Sequence, residues 1–262
     1  MAKKKIKWYR LDKIKKLGAK YNLILGPNGN GKSYALKEEI LKDAILYDKK
    51  FMYMRRFALD LKGDYIYDWI SDMFDYIKVL TGEDWNDIYV NRRKIYLCRW
   101  VDGQREVGPH IGTAFPLSEY SRFKSQNLYF HHMVLEEFLT TDIYLPDEPN
   151  LLQRWVAIPE RHDPDIKVWL VGNTMTRVCP YFSYWGLDRV IDMKPGQLDL
   201  YNFESSDYGS DGKKKIIKIA VEMSENAGKE KSAFFGHTGD NIVNGKWTVQ
   251  ECPILPGEPK DY

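Results

Sequence analysis

The octapeptide Gly26-Pro27-Asn28-Gly29-Asn30-Gly31-Lys32-Ser33 meets the spacing GxxxxGK[ST] in full. Chance alone would produce that spacing roughly once in a hundred chains of this length. Glycines at these points let a loop wrap so that its N–H groups, and those opening the next helix, face phosphate oxygens. Lys32 is placed to reach the β- and γ-phosphates of a nucleoside triphosphate, and the Ser33 hydroxyl to ligate a metal; Tyr34 completes the nucleotide-binding stretch. ATP and Mg²⁺ are the cofactors this predicts.

Such a loop requires a carboxylate at the end of a neighbouring parallel strand. Met133-Val134-Leu135-Glu136-Glu137 supplies it. Glu136 is expected on the metal side, and Glu137 to orient or deprotonate the attacking water. Aspartate is the usual first acid, so Glu136 reaches the metal with one extra methylene. Asn173 follows another apolar run and could sense the γ-phosphate or position water, though capping of the next turn explains it equally well. In a ring, Arg161 could reach a neighbour's nucleotide as an arginine finger. An exposed salt-bridging arginine is the other reading, and Arg154 and Arg177 compete for the role. His131, His132, His162 and Cys179 lack metal-ligand spacing, so no zinc site is expected.

The elements that must hold these groups follow from periodicity. Trp8, Leu11, Ile14 and Leu17 predict a short amphipathic helix ending near Gly18. Residues 21–25 read as an apolar strand running into the glycine-rich loop, and 33–47 as the helix after it. Residues 51–54 read as a strand ending in Arg55-Arg56. The stripe Ile66, Trp69, Ile70, Met73, Phe74 and Ile77 predicts one helix over 64–79, used for core packing. Short alternating runs over 88–117 predict β-hairpins. A strand over 130–135, a helix over 151–158 and a strand over 168–171 complete an α/β domain, with a mainly parallel sheet flanked by helices. Past residue 195 the texture turns to Gly and Ser, which predicts a P-loop domain at 1–195 and a small linker or lid unit at 196–262. Residues 215–224 read as a short helix or strand, and 253–262 as extended chain.

Composition limits the alternatives. With 262 residues, 44% hydrophobic and 29% charged, the chain has enough apolar material for one full-sized domain and a small appendage. No run approaches the roughly 20 apolar residues of a membrane helix, and the first residues lack a signal peptide's apolar core, so cytoplasm is the expected compartment. Three widely spaced cysteines read as reduced thiols. A net charge of +2 says little about partners, but lysines crowd the first 20 residues and recur at Lys213-Lys214-Lys215.

With these residues in place, the chain resembles the DNA encapsidation ATPases of small tailed phages of the phi-twenty-nine-like type, ring motors similar to the additional-strand, catalytic-glutamate translocases. The segments that carry the resemblance are GPNGNGKSYALK from Gly26, FMYMRRF at 51–57, FPLSEYSRFKSQN at 115–127, MVLEEF at 133–138 and VGNTMTRVCPYF at 171–182, with a weaker one at 231–245. It implies Walker A roles for Lys32 and Ser33, and Walker B and catalytic-glutamate roles for Glu136 and Glu137. Arg161 falls near the family's trans-acting arginine across a one-residue gap, and Lys124 where the family has a basic residue linking subunits. The implied partners are double-stranded DNA, further copies in a homo-oligomeric ring (a pentamer), a phage portal or procapsid and a structural RNA, with no membrane. The implied place of work is the host cytoplasm, docked at the portal during packaging. The nuclease-like C-terminal domain such motors often carry is expected to be missing, as in a truncated or minimal member. A small-molecule phosphotransferase and an assembly or export NTPase are the alternative readings.

Overall fold

Alternation along the central strands builds the molecule. The computed structural model describes residues 6–208 and 212–227, together with Gly245 and Trp247. In chain order come α1 (Asp12–Lys15), β1 (Tyr21–Gly26), α2 (Lys32–Tyr47), β2 (Phe51–Arg55), α3 (Gly63–Ser71), α4 (Phe74–Thr81), β3 (Asp87–Asn91) and β4 (Lys94–Val101). They are followed by β5 (Gln104–Pro116), α5 (Tyr120–Phe123), β6 (His132–Glu136), α6 (Glu148–Glu160), β7 (Lys167–Asn173), α7 (Pro180–Tyr184), β8 (Leu198–Tyr208) and β9 (Lys214–Met223).

Among the described residues all nine strands join one sheet in the order β3-β4-β5-β2-β6-β7-β1-β9-β8. The strands from β5 to β9 in that order pair in parallel, and antiparallel hairpins finish both edges. Strand β1 is buried at every position, as a central strand covered on both faces must be. Leu23 and Leu25 point to a core shared with Trp155 of α6 and Tyr181 of α7; Ile24 points to the opposite core, with Leu36 and Ile40 of α2 and Ile66 and Ile70 of α3. Helices therefore cover both faces, and β7 lies between β1 and β6 as an additional strand, the arrangement the sequence resemblance implies.

Three expectations change. The N-terminal helix shrinks to Asp12–Lys15, and Trp8, outside it, is half exposed. The helix expected over 64–79 breaks at Asp72 and Met73; Ile66, Ile70, Met73 and Ile77 stay fully buried across the break, so the apolar stripe gave no sign of it. The Gly- and Ser-rich stretch expected to be a linker after residue 195 belongs to the hairpin β8–β9, whose second strand takes up the 215–224 segment read as a short helix or strand. That strand pairs with β1 and buries Ala220, Val221 and Met223. The described part of the expected C-terminal unit is thus built into the main sheet. The rest of it lies outside the described residues apart from Gly245 and Trp247, as does most of the 231–245 segment, and Trp247 packs edge-on against Phe182.

Candidate functional site

The parallel register brings four strand ends into one row. Gly26 closes β1 beside Asn173 of β7, Glu136 of β6 pairs with Val171, and Arg55 closes β2 next in line. A cavity of about 310 Å³ opens at this row, lined by Asn28 to Tyr34, Lys37, Asp72, Glu136, Glu137, Gly172 and Asn173 among others. Gly26 and Pro27 stand behind it and turn their carbonyls to Lys32.

Glycine is required where the loop is tightest. Gly26 has φ 143°, and a Cβ there would sit 2.1 Å from Ser224 Oγ. Gly31 has φ 96° as the residue preceding α2, a conformation L side chains rarely adopt. Asn30 ties the loop to the end of β9: its Nδ2 donates to Ser224 Oγ at 2.8 Å and to Glu225 O at 2.9 Å, and Ser224 Oγ donates to Leu25 O at 2.6 Å. From the other side Tyr9 N–H donates to Asn30 O at 3.0 Å, while the Tyr9 hydroxyl donates to buried Glu222 at 2.7 Å. Burial raises both the Tyr9 and the Glu222 pKa, so the tyrosine keeps its proton as a donor.

Lys32 is buried, with its ammonium donating to Pro27 O at 2.6 Å, Asn30 Oδ1 at 3.2 Å, and Gly26 O and Asn173 Oδ1 at 3.3 Å each. The Asn173 amide is therefore aimed at the loop lysine. Glu136 Oε1 is buried without a hydrogen-bond partner among the described residues. An orphaned carboxylate oxygen and the Ser33 hydroxyl in one cavity are the hard oxygen donors a magnesium ion takes, so the residues present fit that ion.

Glu137 adopts φ 54° just past β6, which turns its carboxylate out of the strand line into an ion pair with Arg55. Its carbonyl accepts from Arg56 Nη1 at 3.3 Å, and Arg56 Nη2 holds Phe138 O at 3.0 Å. Arg56 is anchored by Glu148 through paired bonds of 2.7 and 2.9 Å, with Tyr181 and the Leu145 N–H also donating to that carboxylate. Lys37 of α2 reaches Asp72 Oδ1 at 2.5 Å across the cavity mouth.

Arg161 is exposed just past α6, and Lys124 is exposed past α5; neither lines the cavity. Arg154 is exposed on α6, whereas Arg177 lies in the loop beyond β7. Sequence reasoning assigned no roles to Arg55, Arg56, Lys37, Asp72 and Ser224. Lys37, four residues after Ser33 on one helix face, was within reach of spacing arguments; Asp72 and Ser224 arrive through tertiary structure alone.

His132, Asp43 and His131 come within 4.8 Å of one another through their ligating atoms. Trp169 Nε1–H donates to His132 Nδ1 at 3.2 Å, so Nε2 carries the proton that His132 shares with Asp43 at 2.9 Å. Both ring nitrogens are thereby used, one tying β6 to β7 and the other tying it to α2. Burial pushes His132, and likewise His110, below the usual histidine range. The unfolded chain takes up protons at these rings near pH 6.5 that the folded rings refuse, so it binds more protons as pH falls. Stability is complete above about pH 6.5 and declines below it, by at most ~1.4 kcal/mol per pH unit for each ring. Urea midpoints at pH 7.5 and 5.5 should show the decline, and His132→Asn should flatten it; an unchanged slope in the variant would assign the effect elsewhere.

No helix among the described residues is long and apolar enough to cross a membrane. Curated relatives include the DNA packaging proteins of Bacillus phage B103, 27% identical over 173 residues, and of Bacillus phage phi29, 28% identical over 173. Each alignment covers 63% of this chain but 48% and 46% of those proteins, so the chain spans about half the length of the relatives it matches. Among solved structures, the N-terminal domain of the phi29 DNA packaging ATPase superposes with TM-score 0.61 at 22% identity, over 82% of this chain and 95% of that one. The Phi-28 gp11 DNA packaging motor superposes with TM-score 0.62 at 16% identity, over 97% of this chain and 71% of that one. These likenesses establish the fold, a P-loop NTPase sheet with helices on both faces. Residues 3–232 match the model of the Podovirus DNA encapsidation protein (Gp16), and the chain belongs to that family.

Proposed function

We propose that the chain is a Mg²⁺-dependent ATPase that drives double-stranded viral DNA into a procapsid, working as a homo-oligomeric ring. What carries this reading is the convergence of Lys32, Ser33, Glu136, Glu137 and Asn173 on one cavity in a chain of this family. A bound triphosphate gives the Lys32 ammonium charged oxygens in place of the loop carbonyls, a stronger set of acceptors. Ser33 and Glu136 would hold the magnesium, which when bound neutralises phosphate charge. Glu137 acts on the attacking water after exchanging its Arg55 partner, and Asn173 couples the end of β7 to Lys32. Arg161, Arg154 or Arg177, with Lys124, serves a neighbouring subunit's nucleotide, because all four stand away from the chain's own cavity. Contacts to DNA are mostly to phosphates and so salt-sensitive. The portal, a structural RNA and the host cytoplasm complete the proposed setting.

The test is steady-state ATP hydrolysis with and without linear duplex DNA, across protein concentration. Turnover that rises with DNA and cooperatively with concentration supports the ring translocase; flat turnover with intact ATP binding removes the translocase reading and keeps the nucleotide site. Lys32→Ala removes the cation facing the phosphates and is expected to lower turnover by about 10²–10³-fold, the scale for loss of one preorganised charge-stabilising group. Titration with a fluorescent ATP analogue checks whether binding falls in parallel.

A further inference from the structure

A second cavity, of about 650 Å³ and roughly twice the volume of the nucleotide site, runs beside the end of β5, and its lining has no residue in common with that of the nucleotide site. Phe130, just before β6, lines it, whereas Glu136 at the far end of β6 lines the nucleotide site. At about 3.3 Å per residue Phe130 and Glu136 are roughly 20 Å apart, while Phe115, also on the lining, is level with Leu135 two strands away. Five cationic side chains line this cleft, Lys50, Arg92, Arg93, Lys94 and Arg122, with Glu119 the one carboxylate among the described lining residues and Asp48 behind them paired to Lys50 at 2.7 Å. Glu119 is already shared between Arg93 at 3.0 Å and Arg122 at 3.2 Å. Arg92 and Lys94 are exposed, and no ion pair to either occurs among the described residues.

The turn that carries them is strained. The two residues linking β3 to β4, Arg92 and Arg93, have φ of 48° and 69°, where a two-residue hairpin turn favours Asn-Gly. Large cationic side chains stand where glycine would be easier, and Arg93 O accepts from Ala114 N–H at 2.8 Å, fixing the turn over β5. Strain of this kind points to a function for the side chains. Beside the cations, Tyr129 stands 61% exposed with one ring face against His162, centroids 4.2 Å apart. Positive charge in a groove beside an exposed aromatic ring is the combination that holds a single strand, phosphates on the cations and an unpaired base on the ring. A duplex, with its bases stacked inside, could offer only its backbone.

We infer that this cleft is a binding site for single-stranded nucleic acid, distinct from the nucleotide site and from any surface that grips duplex DNA. The inference does not depend on ATP hydrolysis, and its test contains none, so the two readings fail separately. Fluorescence anisotropy of the full chain would use labelled oligo(U) and oligo(dT) of about ten nucleotides, near the footprint of one binding fold. A labelled DNA duplex would be run beside them, between about 50 and 200 mM salt. Both single strands should bind with excess ATP present, and a preference between them says whether ribose or deoxyribose is the natural form. The R92Q/K94Q double variant should lose about tenfold or more in single-strand affinity and about 1.4 units of salt slope, about 0.7 for each phosphate contact removed. Tyr129→Ala should weaken single-strand binding about tenfold and leave duplex binding unchanged. Retained ATP-analogue binding in both variants reports intact folding. Variants that bind like the unmodified chain, displacement by ATP, or equal competition by polyglutamate would each overturn the inference.

Discussion

Glu137→Gln should stop hydrolysis while leaving ATP binding intact. Glutamine has the length and shape of the side chain it replaces, can hold the same φ of 54° and can still accept from Arg55 through its amide oxygen, so the turn after β6 should survive. What disappears is the ability to take a proton. General-base catalysis by a positioned group is worth about 10²–10⁴-fold, and turnover should fall by that much. Single-turnover hydrolysis alongside analogue binding separates the cases. Normal turnover would remove Glu137 from the chemistry, and a collapse of binding would make it a residue that shapes the pocket. The Arg55 pair sharpens the expectation, because a carboxylate committed to a guanidinium is a poor base until that partner moves.

The largest effect on stability is expected from Glu148→Ala. The Glu148 side chain is fully buried and accepts from Arg56, Tyr181 and the Leu145 N–H, while Arg56 itself is almost buried beneath the Tyr144 ring. Removing the carboxylate strands a desolvated cation, which typically costs about 3–5 kcal/mol. Glu148→Gln keeps the shape and part of the hydrogen bonding, so it should lose less. Urea unfolding of the three proteins measures this, and a loss under about 1 kcal/mol for the alanine variant would mean that Arg56 finds water or another acceptor. Because Arg56 also holds the Glu137 and Phe138 carbonyls, the folded fraction of Glu148→Ala should hydrolyse ATP more slowly.

The nucleotide loop was legible because its chemistry is local: eight consecutive residues carry the glycines, the lysine and the hydroxyl. Glu136 and Glu137 were legible for a related reason, as acids that end an apolar run. The parallel core of the sheet could be read from its continuous apolar strands. The β8–β9 hairpin could be read only in part: 215–224 was open between helix and strand, and Ser205, Ser206, Gly209, Ser210 and Gly212 look like a linker, so that what settles β9 as a strand, and β8 beside it, is pairing with β1, almost 200 residues earlier. Arg55 and Arg56 were visible as a pair closing a strand, but their opposite fates, one on the catalytic acid and one on a buried carboxylate, depend on partners 82 and 92 residues away. The basic cleft is equally hidden, assembled from a turn near residue 92, a short helix near 120 and the approach to β6.

The strut from Asn30 to Ser224 has a consequence for the order in which the protein acquires its competence. The residues of the nucleotide loop are made first, but the hydroxyl that braces them belongs to the end of the ninth strand, and the space it fills sets the need for glycine at Gly26. A nascent chain released to fold before residue 224 has left the ribosome would carry every atom of the phosphate cradle without its brace. The capacity to capture nucleotide should therefore appear late in synthesis, when β9 docks on β1, so that few half-made subunits hold ATP.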